Sequence, residues 1–278
     1  MLSGHPFNDS QDGVLHIDLN CDMGEGMETD ADIFPFISSA NIACGYHAGD
    51  EETMRRTVER ALQHNVAIGA HPSYPDKANF GRIDILDSAP GTGDRSLRYE
   101  ELAGILTEQL HRLQNICREF GSGLQHVKPH GALYNRAAKD PGVGAIICRT
   151  IAAFDPSLLL YGLSGSEMKR AADQSGLSFI SEVFADRTYR EDGSLTPRTE
   201  PDALIENPDL AVAQVLKMIR ESKVAVAGIP LNDVPILAET VCLHGDGSHA
   251  AEFAGRIHEM LRRSGIVTRS PLHRRQGN

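Results

Sequence analysis

From residue 14 onward the chain alternates short β-type runs with longer helical patterns, about seven times over, and no Gly-, Pro- or Ser-rich linker splits the series. Strand-like runs are read at 14–20, 41–44, 66–70, 124–128, 158–163, 179–184 and 240–243, with a small hairpin at 224–227 and 234–237. Between them, apolar residues recur at helical spacing over 51–65, 96–120, 132–138, 144–154, 167–174, 210–221 and 249–264. In the first of these helices Met54, Val58, Ala61 and Leu62 make the apolar stripe, and Asp50 is placed to cap its start. Repeated βα units dictate a parallel sheet covered by helices, either doubly wound or closed into a barrel. At 278 residues the chain suits a single α/β barrel of ~250 residues.

We expect one domain over 14–268, flanked by tails at 1–13 and 269–278. Two polar stretches, 72–95 and 185–207, are too long for bare connectors and read as functional excursions. Apolar residues make up 41% and charged residues 23%, the profile of a globular protein with a substantial core. No apolar run reaches the ~18 residues of a membrane span. The opening residues carry neither a basic start nor an apolar stretch, so a cytoplasmic location is expected.

With 27 basic and 38 acidic residues the formal charge is −11, which disfavours nucleic acid and anionic lipid as partners. The basic residues of the tail, Arg269, Arg274 and Arg275, read as a solvated end. The five cysteines never form a CxxC pair and read as reduced thiols that fill small packing positions. No phosphate-cradling loop of the GxxxxGK[ST] or GxGxxG type is present, and GLSGS at 162–166 narrowly misses a serine-nucleophile elbow.

Nearly every strand ends in a polar, Gly-flanked segment: DLNCDMGEG (18–26), NIACGYHAGD (41–50), GAHPSYPD (69–76), HVKPHGALYN (126–135), EVFADRTY (182–189) and CLHGD (242–246). Parallel α/β folds build their sites at those carboxyl ends. Loops are polar in any protein, but that does not place a His after four separate strands, at His47, His71, His130 and His244. Asp18, Asn20 and Asp22 alternate, so a strand running through them puts all three on one face. Crowded carboxylates of this kind suit base chemistry, and Asp22 is the candidate base, whereas Asp18 serves equally well as a cap. Lys128 is a candidate for stabilising developing negative charge, and Glu25 and Asn41 for substrate contact. Arg82 is a candidate anion clamp, with a solvated loop Arg as its rival, and Asp186 and Arg187 either pair with each other or meet substrate. An Asp with two His can ligate zinc, but neither HExxH nor a Cys knuckle is present, so the metal is left unassigned and the imidazoles are read as acids or hydrogen-bond donors.

Those segments, in that order, together with FGR at 80–82, resemble the LamB/YcsF family over about residues 14–265. Tyr46 stands where Phe is expected, Ser73 where Gly is usual, and Ile83 where a second Arg often follows Arg82. The resemblance implies a distorted seven-stranded (β/α) barrel akin to the glycoside hydrolase/deacetylase barrels. It further implies a role in 5-oxoprolinase, the ATP-dependent opening of the 5-oxoproline (pyroglutamate) lactam to L-glutamate, with ADP and phosphate as the other products. Two partner subunits resembling allophanate hydrolase are implied as well, and the missing phosphate loop suits ATP being bound largely by them. The site expected from residues and resemblance together has Asp22, Lys128, His130, His47 and His71 as catalytic groups. Asn20, Glu25, Asn41, Arg82, Asp186, Arg187 and His244 are its expected substrate contacts. The rival classes are a metal-dependent deacetylase-like hydrolase that needs no ATP, and a non-catalytic lactam- or carbohydrate-utilisation subunit.

Overall fold

A computed structural model describes residues 14–27, 29–86, 97–229, 231–243 and 250–271. In chain order it holds β1 (Leu15–Met23), α1 (Asp30–Ile33), β2 (Ser39–Ala43), α2 (Glu51–Gln63), β3 (Ala67–His71) and α3 (Tyr99–Glu119). There follow β4 (His126–Val127), α4 (Gly131–Ala137), α5 (Pro141–Phe154), β5 (Leu159–Leu163), α6 (Glu167–Ser175) and β6 (Ser178–Phe184). The series ends with α7 (Pro208–Glu221), β7 (Lys223–Ala225), β8 (Asp233–Pro235), β9 (Thr240–Leu243), α8 (Ala250–Arg263) and β10 (Ile266–Thr268). Strands β1-β2-β3-β4-β5-β6-β9 pair in parallel, and β9 returns to β1, which closes a barrel of seven. The expected hairpin forms from β7 and β8, antiparallel and apart from the barrel. The tail at 1–13 lies outside the described residues.

The first strand does more than the sequence suggests. It runs three residues past the expected end at Asn20, because Asn20–Met23 pair with Ser39–Ile42 of β2 while Asp18–Cys21 pair with Thr240–Leu243 of β9. Its first residues, Leu15–Ile17, pair instead with β10, a strand with no counterpart in the sequence reading. The chain also stays on the barrel beyond the expected boundary at 268, since the Arg269 amide donates to the Ile17 carbonyl at 2.9 Å and Ser270 is buried. The C-terminal tail therefore does not begin at 269. Asp50 caps α2 as expected, accepting from the Thr53 amide at 2.8 Å.

Strand alternation sorts the side chains. Ile17, Leu19, Cys21 and Met23 of β1 point outward with Ile42, Ile68, Val127, Leu160, Val183 and Val241 into the main apolar core. Inward go Asp18, Asn20, Asn41, His126, Glu182 and Thr240, all buried, above a small apolar floor of Leu159, Tyr161 and Ile180. A polar interior is costly unless most of its groups find partners. Asn20 donates to Glu182 Oε1 (3.0 Å) and Thr240 Oγ1 (2.7 Å), Thr240 donates to Asp18 Oδ2 (2.6 Å), and Ser38 and Ser39 donate to Asp18 Oδ1 (2.6 and 2.8 Å). Asp18 thus ties the barrel floor together.

Gly69 shows how tightly this interior is filled. A Cβ there would lie 2.0 Å from His126 Nε2, whose ring stacks on Tyr161 at 4.2 Å. Gly69→Ala is expected to lower stability by roughly 1–3 kcal/mol through overpacking. A urea midpoint equal to the parent protein's would show that the ring can step aside.

Candidate active site

Four consecutive strand ends converge on one point. His71 closes β3, His47 follows β2, and His130 stands just after β4 as the residue before α4. Glu25 follows β1, between Gly24 and Gly26. Glu25, His47, His71 and His130 each offer a ligand atom, and these atoms all lie within 4.8 Å of one another. The rings of His47 and His130 stack at 3.8 Å, and Phe80 sits edge-on to both. Phe80 and Gly81 take left-handed backbone (φ 57° and 62°), which turns the Phe80 carbonyl onto His130 Nε2 at 2.9 Å. A Cβ on Gly81 would meet Ser73 Oγ at 2.3 Å, so only glycine fits this turn.

Next to the imidazoles lies a charged centre. Lys128, 2% exposed, places Nζ 2.9 Å from Asp22 Oδ1 and 2.8 Å from Glu182 Oε1, and it also donates to Asn20 Oδ1 and Cys242 Sγ. Burial works against its charge, but the Asp22 and Glu182 carboxylates overcome this and hold the ammonium well above the ordinary lysine range. Its protons are thereby engaged by the protein, so Lys128 fixes Asp22 rather than waiting for a ligand. Asn41 orders the same carboxylate, donating to Asp22 Oδ1 (2.9 Å) and Asn20 Oδ1 (2.8 Å) while its own Oδ1 accepts from His126 (2.8 Å). Asp22 keeps 14% of its side chain exposed, which makes it the point where this buried network reaches solvent.

Their surroundings act on the imidazoles in opposite directions. Burial and then His71 push His47 down to about 2; burial, then His71 and His47, push His130 down to about 3. His126 falls to about 3 through burial and the nearby Lys128. At His71 burial also opposes the charge, but Asp22, 3.3 Å from Nε2, and Glu25 outweigh it and raise the group above 6.5. All five cysteines are buried, and burial raises every thiol, which suits packing and not a thiolate nucleophile.

The sequence-predicted residues Asn20, Asp22, Glu25, Asn41, His47, His71, Lys128 and His130 therefore lie in one connected network. Arg82 is exposed, with its guanidinium carbon 5.0 Å from the Phe80 ring centre, at the rim of the imidazole cluster. Arg187 is buried and donates to the carbonyls of Thr196 (2.5 Å) and Ala203 (3.2 Å), so it pins the second excursion, with half-buried Asp186 close enough to favour its charge. His244 lies outside the described residues. Glu182 and His126 belong to the network too, although the sequence reading does not single them out. The signal for Glu182 is an acid between Ile180 and Phe184 in a strand buried on both faces, where a carboxylate needs a partner.

The loop that carries Glu25 is held from below. The Gly24 amide donates to Asp30 Oδ2 at 2.8 Å, and burial pushes the Asp30 carboxyl up from 3.8 to about 6. The folded state then binds the extra proton between those values, so stability falls as pH rises through about 4 to 6, by up to about 3 kcal/mol. Asp30→Asn is expected to remove that slope. Urea unfolding of both proteins at pH 4 and 7 checks it, and an identical pH dependence would show that Asp30 contributes none of it.

These features define a parallel (β/α) barrel that carries its polar cluster at the carboxyl ends of its strands. The LamB/YcsF family model matches residues 17–276, and the chain belongs to that family. It is 46% identical over 259 residues to a 5-oxoprolinase subunit of Histophilus somni, covering 93% of this chain and 100% of that one. It is 45% identical over 258 residues to the corresponding 5-oxoprolinase subunit of Bacillus subtilis, covering 91% and 96%. Among solved structures, the lactam utilization protein of Thermus thermophilus superposes with a TM-score of 0.81 at 35% identity, covering 92% of this chain and 99% of that one. Among the described residues no helix is long and apolar enough to cross a membrane.

Proposed function

We propose that this chain is the component of an ATP-dependent 5-oxoprolinase that opens the activated lactam, and that it works with two further subunits that bind ATP. Near-full-length relatives named as 5-oxoprolinase subunits support the substrate, and the name itself supports a multisubunit enzyme. The observation that carries the chemistry is Asp22, a carboxylate clamped by Lys128 and Asn41 and open to solvent at the barrel mouth.

A lactam is a poor electrophile, so phosphorylation of its carbonyl oxygen by ATP, with release of ADP, comes first. Water then adds to the ring carbon, and Asp22 takes the water's proton. Asp22 returns that proton to the ring nitrogen as the C–N bond breaks, and the new hydroxyl gives its own proton to Asp22 as it becomes the carbonyl of an acyl phosphate. A second water hydrolyses this to glutamate and phosphate. Lys128 keeps positive charge beside Asp22 throughout, and Arg82 at the rim attracts the phosphorylated substrate.

The expected result is that this chain alone neither hydrolyses ATP nor opens 5-oxoproline, and that mixing it with the two partner subunits yields glutamate, ADP and phosphate together. The chain has no phosphate loop, and its charge of −11 gives no general attraction for a triphosphate. Robust 5-oxoproline-dependent ATPase from the isolated chain would overturn the division of labour.

A further inference from the structure

We propose that Glu25, His47, His71 and His130 form a binding site for one divalent transition-metal ion of the zinc type. The donor set is three imidazole nitrogens and one carboxylate oxygen, which suits zinc and its first-row neighbours and supplies too few oxygens for magnesium or calcium. Ligands at 2.0–2.1 Å from a tetrahedral ion stand about 3.4 Å from one another. Around this centre Glu25 Oε1 lies 3.0 Å from His47 Nε2, 3.3 Å from His130 Nδ1 and 3.8 Å from His71 Nε2. His71 Nε2 lies 2.9 Å from His130 Nδ1. Those edges straddle the tetrahedral value.

The tautomers point the same way. A carbonyl oxygen only accepts, so His71 must carry a proton on Nδ1, 2.7 Å from the Lys128 carbonyl, and His130 must carry one on Nε2, 2.9 Å from the Phe80 carbonyl. The nitrogens left over are the two that face each other and Glu25. Neutral imidazoles in these tautomers aim lone pairs at a shared point that also faces a carboxylate, and a cation there satisfies all of them. Donation of the second ring N–H to a carbonyl is the support that metal-bound histidines ordinarily have. His47 lacks it, since its Nδ1 has no hydrogen-bond partner among the described residues, and it is therefore the weakest-held of the three imidazoles. The ligands come from four successive strand ends, each side chain is at most 9% exposed, and Asp22 lies against the site through His71. The three imidazoles then act as ligands, and Asp22 keeps the proton-transfer role.

The test reads metal content, not turnover, so it is independent of the ring-opening reading. The untagged chain, purified without chelator, is expected to carry one equivalent of a first-row transition metal by elemental analysis. After chelation it should take up one zinc by calorimetry, and cobalt(II) should give the intense visible bands of a tetrahedral site. His71→Ala and His130→Ala should each weaken zinc binding by more than about 100-fold, His47→Ala should weaken it less, and Cys242→Ala should bind like the parent. Circular dichroism confirms that each variant is folded. If instead the folded parent chain takes up no metal and NMR shows protons on both ring nitrogens of His71, an imidazolium fills the centre and the proposal fails. Binding that persists unchanged in a Glu25→Gln/His130→Ala variant would place the ion elsewhere and overturn it equally.

Discussion

Lys128→Met is expected to cost about 3–5 kcal/mol of stability and to abolish turnover in the assembled enzyme. The ammonium lies between Asp22 and Glu182, and Glu182 is fully buried. Without it, Glu182 keeps the Asn20 amide but loses its counter-charge in a place water does not reach. Against the roughly 5–15 kcal/mol that holds a domain together, that loss leaves a marginal fold. A Lys128→Met/Glu182→Met variant should recover most of the stability and none of the activity, because the unpaired charge is gone while Asp22 still lacks its clamp. Urea midpoints and turnover of both variants separate the two roles. A single variant with the parent midpoint would mean that Glu182 needs no partner.

Asp22→Asn is expected to divide the effects the other way. The amide oxygen still accepts from Lys128 and Asn41, so stability should change by no more than about 1–2 kcal/mol. Turnover in the assembled enzyme should fall by about 10²–10⁴, since an amide cannot take the water's proton. Substrate affinity should be nearly unchanged, which places the loss in the chemical step. Retention of full activity by a folded Asp22→Asn protein would remove Asp22 from the reaction.

The alternation of strand and helix was legible because each element is long enough to show its period, and the seven barrel strands lie where the β-type runs stand. The shared face of Asp18, Asn20 and Asp22 was legible for the same reason. What was hidden is non-local. Nothing near Glu182 in sequence announces that Asn20, 162 residues away, will donate to it. Nothing near His130 announces that the Phe80 carbonyl will hold its ring, because that contact depends on a left-handed Phe, a conformation the residue type disfavours. The strand β10 has three residues, too few for any period, and exists because β1 offers it an edge. Arg187 is read from sequence as a partner of Asp186 or a substrate contact, and nothing near it in sequence marks the Thr196 and Ala203 carbonyls that its guanidinium meets.

The division of β1 between two neighbours bears on how the protein is made. Asp18 and Thr240, which share a hydrogen bond, are 222 residues apart, and β10 lies further on still. A nascent chain emerging from the ribosome can pair β1 with β2 at once, but the cylinder stays unrolled until β9 has been synthesised. Until then β1 and β6 present bare edges that any passing strand can join. Contacts of such long sequence separation are slow to find. Late sealing therefore makes the interval of synthesis the vulnerable one, and substitutions in β9 or β10 should show first as poor yield of soluble protein during expression, ahead of any change in the finished molecule.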